Sequence, residues 1–138
     1  MINPKEALKI AKNNPYKGTA KQIAKLSISI AQSAQIFDHS VFALYKDKIN
    51  ISPKIFSKLK VIGETLLEVK EQERNLLINQ FPDSYTTIHI LCSITTKDLV
   101  TAAEKGDITA NTTAKEAQLY VQQIRFPTGD GEKGKWGY

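Results

Sequence analysis

TAKQIAKLSISIAQSAQIFDHSVFALYK, residues 19–46, is the stretch that decides the fold. Thr19 and Gln22 have capping-box spacing, in which a hydroxyl and a side-chain carbonyl each satisfy a free amide at a helix start. Ile23, Leu26, Ile30, Ala34, Phe37, Val41 and Leu44 then recur at steps of three and four, which winds one apolar stripe along a helix. Asp38-His39-Ser40 falls inside the stripe without changing its phase. The spacing predicts a single long helix over roughly 20–47, with room for a bend near residue 39.

Shorter helices follow on either side. Asn3-Pro4 with Glu6 is a helix start, and Asn13-Asn14-Pro15 with Gly18 is its stop. Downstream, Ile49-Asn50-Ile51 breaks the long stripe, because asparagine tolerates the left-handed backbone of a tight turn. Ser52 caps, Pro53 takes the first helical position, and Ile55, Phe56, Leu59 and Ile62 form a buried side. Gly63 marks a place for close packing. Glu71–Gln80 is a further helix, ended by Phe81-Pro82. Tyr85, Ile88, Leu91 and Cys92 share a face, Thr95 caps the next helix, and Gly106 stops it. Thr113 and Glu116 form a capping box for a last helix to about Arg125.

No segment alternates as a strand, and no internal repeat is visible. The fold class is therefore all-α: a single-domain multi-helix bundle over 1–125, with a long central helix and a helix-turn-helix-like segment. Residues 126–138 hold four of the seven glycines without a period and are expected to form a flexible tail. Trp136 and Tyr138 in that tail are candidate protein-interaction residues, since large aromatics are costly to leave in water.

At 138 residues and 41% hydrophobic content, the chain can bury a core without disulfides. Its single cysteine cannot form an internal bridge, and no apolar run could span a bilayer. Both point to a cytoplasmic protein. The charge is uneven: residues 1–26 carry Lys5, Lys9, Lys12, Lys17, Lys21 and Lys25 against Glu6 alone, while residues 71–125 are net acidic. Such asymmetry favours a polyanion at one end; lysine coating solvated helix faces is the alternative. All but two of the nineteen basic residues are lysine, which neutralises phosphate as a point charge without arginine's base-reading fork.

Residues 41–60, VFALYKDKINISPKIFSKLK, have the outline of a support helix, a short turn and a second helix with a polar N-terminal face. In that arrangement Ser52, Lys54, Ser57 and Lys58 look outward, and Lys5, Lys9, Lys12, Lys17 and Lys21 steer toward phosphate. Here the chain resembles the helix-turn-helix modules of phage- and plasmid-borne DNA-binding regulators, including ParB- and KorB-like partition proteins. The resemblance extends through ISPKIFSKLKVIG, FPDSYTTIHIL and AAEKGDITANTTAKEA, about residues 40–120. It implies a helical, often dimeric protein that acts on DNA without a cofactor. Lys46, four before Asn50, stands where these modules place a small residue, so it must snorkel or the helix crossing must widen.

No catalytic or metal signature is complete. His89 and Cys92 are three apart on one helix face, but two ligands do not make a zinc site. The apolar surroundings IHILCSI favour a packed thiol. Asp38-His39-Ser40 cannot converge as a triad, because helix neighbours point about 100° apart. No glycine-rich strand–loop–helix cradles a phosphate. The expected function is a non-enzymatic DNA-binding regulator of phage or mobile-element origin, with no metal or cofactor. The alternative is an α-helical module that binds and modulates a host or phage enzyme, through the long helix or the aromatic tail. A homodimer is compatible with either.

Overall fold

The computed structural model describes residues 3–37 and 41–126, and every described element is helical. In chain order these are α1 (Pro4–Asn13), α2 (Ala20–Phe37), α3 (Val41–Ile49), α4 (Pro53–Glu68), α5 (Glu71–Gln80), α6 (Tyr85–Leu91), α7 (Thr96–Lys105) and α8 (Ala114–Arg125). Among the described residues, no helix is long and apolar enough to cross a membrane. The tail beyond Phe126, with Trp136 and Tyr138, lies outside the described residues.

The boundaries follow local hydrogen bonding. Asn3, Ser52, Ser84, Thr95 and Thr113 each accept, through a side-chain oxygen, an amide three residues on. A helix start otherwise leaves those amides unpaired. Gly106 closes α7 in the left-handed region at φ 78°, where glycine carries no Cβ penalty. Asn50, between α3 and α4, sits at φ 47°.

The long helix expected over 20–47 is not there as one element. The Tyr45 hydroxyl in α3 is hydrogen-bonded to Ser29 in α2 at 2.5 Å and to Ser33 at 3.2 Å. In a continuous helix, residues 29 and 45 would stand about 24 Å apart at 1.5 Å per residue. α3 therefore lies beside α2 instead of continuing its axis. Residues 38–40, including His39, lie outside the described residues, as do the side chains of Phe37, Val41 and Leu44.

The core is organised on α2 and α4. Ile23, Leu26 and Ile30 of α2 and Leu59, Ile62 and Leu66 of α4 are fully buried. Small residues let the two helices approach: a Cβ added to Gly63 would collide with the Ser27 carbonyl and come within 2.9 Å of the Ala31 methyl. α1 and α3 pack on one side of this pair, α5 with α7 and α6 with α8 on the others. Long-range polar contacts fasten the outer helices. Asp83 Oδ1 accepts from the Ala20 amide at 2.7 Å, Arg74 Nε donates to the Leu66 carbonyl at 2.8 Å, and Gln80 Nε2 donates to the Ala103 and Ile108 carbonyls.

Candidate functional site

The helix after the Asn50 turn has two unlike sides. Its inner side, Phe56, Leu59, Ile62, Gly63 and Leu66, is locked onto α2 and the core. Lys54, Ser57, Val61, Glu64 and Glu68 form the exposed strip. The first two turns of that strip hold Lys54 and Ser57, and the first turn of α4 contains no acid. From Glu64 onward the same strip is acidic.

Among the residues expected to face outward, Lys54 and Ser57 are exposed together. Ser52 is exposed too, but its Oγ is engaged as the cap, accepting from the Ile55 amide at 3.2 Å. Lys58 is half-buried, as is Ile55 on the side expected to be buried. Lys58 lies near His89 of α6: burial holds the imidazole below its ordinary pKa, and the Lys58 charge lowers it further.

The α3–turn–α4 segment has the three-residue connection of a helix-turn-helix, yet its close contact is aromatic. Phe42 meets Phe56 edge-on at 5.3 Å between centroids, and Tyr45 meets Phe56 at 6.0 Å. Lys46 is exposed and takes no part in that contact. Rings rather than small side chains thus make the contact between the two helices.

The basic N-terminal block forms a surface of its own. At 100° per residue, Lys5, Lys9 and Lys12 fall within an arc of about 60° on α1. All three are exposed, and with Leu8 they border one shallow depression. Their face lies opposite Ala7 and Ala11, which bury α1 against the core. Glu6, the one carboxylate in this block, is held in the cap, accepting from Asn3 Nδ2 at 2.7 Å. Lys17 is exposed with its ammonium 5.9 Å from the Tyr16 ring centre. Lys21 is exposed on α2 one turn before Lys25.

His89 and Cys92 do share the α6 face turned toward α4. Burial pushes the Cys92 thiol up to about 12, with Glu68 adding to the rise and Thr65 opposing it. A thiol so disfavoured as thiolate is a poor nucleophile and a poor metal ligand at neutral pH. Among the described residues, no three His, Cys, Asp or Glu side chains gather as a metal site.

Sequence reasoning missed a pair of hollows beside α2. The larger, about 360 Å³, lies between α2 and α5; the smaller, about 210 Å³, lies between α1 and α2. Lys25 and Ile28 border both. The i, i+4, i+7 spacing of Lys21, Lys25 and Ile28 could have signalled this face, but Ile78 and Ile10 come to it from other helices. No known protein family, no curated protein and no solved structure matches this chain.

Proposed function

We propose that this protein is a non-enzymatic DNA-binding regulator that approaches duplex DNA with the N-terminal turns of α4. The α1–α2 lysines neutralise phosphate beside it. One observation carries this reading: the first two turns of α4 present Lys54 and Ser57 to solvent without a carboxylate, while the helix is anchored from behind on α2. A helix N-terminus also bears partial positive charge, which suits a phosphate-lined groove. The acidic later turns, at Glu64 and Glu68, restrict approach to the N-terminal end. That matches how recognition helices present their first residues to base edges. With lysine as the main cation, binding rests more on phosphate neutralisation than on bidentate base reading.

A salt-titrated binding assay on a short duplex tests it. Lys54→Ala and Lys58→Ala should each weaken binding without loss of helicity. Replacing Lys5, Lys9 and Lys12 together by Gln should flatten the log–log salt slope by about 2 to 3, close to 0.9 for each phosphate no longer neutralised. DNA affinity and slope unchanged in all of these variants would refute the reading.

A further inference from the structure

The two hollows beside α2 belong neither to the α4 tip nor to the α1 lysine row, and their chemistry differs from both. Ala24, Ile28 and Ile78 give the larger one an apolar lining, and Ile10 with Ile28 does the same for the smaller. Lys21 and Lys25 stand above them on the exposed face of α2. Asn75 and Asn79, one turn apart on α5, and Gln32 on α2 supply side-chain amides. Among the described residues, no Asp or Glu borders either hollow.

Size and polarity narrow the choice of occupant. At about 210 and 360 Å³ the hollows lie at or below the small end of small-molecule sites, about 300–1,000 Å³. They adjoin along a strip of α2 from Lys21 to Gln32, roughly 16 Å at 1.5 Å per residue. That is the length of about three turns of a second helix. An amphipathic helix with apolar residues at i, i+3, i+4 and i+7 has a face wide enough to enter both hollows. Acidic residues flanking that face would meet Lys21 and Lys25, whereas basic ones would be repelled. A DNA duplex offers no side chains to fill apolar sockets.

We propose that the α1–α2–α5 seam is a docking site for an acidic amphipathic helix of a partner protein, with Ile28 and Ile78 as the apolar floor and Lys21 and Lys25 as the charged rim. This surface shares its α2 lysines with the phosphate-neutralising set but has Ile28 and Ile78 to itself, so an Ile78→Ala variant that loses the helix and keeps DNA binding separates the two readings.

The probe is a fluorescein-labelled helical peptide of about four turns, with Leu at i, i+3, i+4 and i+7 and Glu at the flanking positions. Its counterpart carries Lys for Glu. Anisotropy with the full chain should give saturable binding of the acidic peptide and much weaker binding of the basic one. Lys21→Glu with Lys25→Glu, both exposed, should weaken acidic-peptide binding by about tenfold or more at low salt. Ile78→Ala should weaken it by about tenfold, because less apolar surface is covered on docking, with circular dichroism confirming that the variant folds. In amide NMR spectra the peptide should shift resonances of α2 and α5 around residues 24–28 and 75–79. The proposal is overturned by absence of saturable binding, by equal binding of the basic peptide, or by shifts centred elsewhere. A dimer in sedimentation that the Lys21→Glu and Lys25→Glu changes dissociate would overturn it as well, because the seam would then belong to a second copy.

Discussion

Two residues at the α2–α4 contact have opposite expected responses to alanine. Gly63 lies so close to the Ser27 backbone that a methyl has no room, and a carbonyl cannot rotate away as a side-chain tip can. Gly63→Ala would gain about 1 kcal/mol of helix propensity, but overpacking costs about 1–3 kcal/mol and more when backbone is the obstacle. The balance is a loss, read as a lower urea midpoint. Ser27 is fully buried, and its Oγ has no hydrogen-bond partner among the described residues. A buried orphan hydroxyl costs about 1–3 kcal/mol, so Ser27→Ala should raise stability by about 1 kcal/mol. A clear loss on Ser27→Ala would mean that the hydroxyl is satisfied after all.

At the scale of elements, what was legible in the sequence divides by the range of the interaction. Caps such as Ser52-Pro53, Thr95 with Gly106 and Thr113 with Glu116 involve neighbours, so the starts of α4, α7 and α8 and the stop of α7 could be read directly. The break between α2 and α3 could not. The stripe through Ile30, Ala34, Phe37 and Val41 keeps its phase across it, and the hydroxyls that hold α3 against α2, Ser29 and Ser33, count as polar in any periodicity. At the candidate site, the exposure of Lys54 and Ser57 followed from the stripe of α4. The half-burial of Lys58, and its charge acting on His89 of another helix far along the chain, were invisible. Asp83 is a second long-range case, capping α2 from the α5–α6 connection. With the Thr19–Gln22 capping box intact, Asp83→Ala should cost about 1 kcal/mol, the usual worth of one hydrogen bond, while Asp83→Asn keeps an acceptor and most of the stability. Equal thermal midpoints for wild type and Asp83→Ala would remove Asp83 from the cap.

For the whole molecule, three groups among the described residues ionise later in the folded chain than in the unfolded one. Burial pushes the Cys92 thiol from 9.0 to about 12. Burial, with the hydrogen bond to Asp107, pushes the Tyr120 phenol from 10.0 to about 12. Burial also raises Tyr45, against the lowering effect of its bonds to Ser29 and Ser33. In each case the unfolded form loses its proton first, so the stabilisation is full below about pH 9 and is lost as pH rises toward about 12. Urea midpoints should therefore hold between about pH 7 and 8.5 and fall steadily above about pH 9.5. Asp107→Asn should bring the Tyr120 absorbance titration back toward 10.0, its ordinary value.

The α2–α4 contact also limits how the bundle can respond to a ligand. Sliding motions between packed helices are absorbed by side chains that trade one rotamer for another. At Gly63 the opposing surfaces are main chain, which has no such cushion. The two helices must travel as one rigid spar, and any change of shape on engagement falls to the elements hung from it.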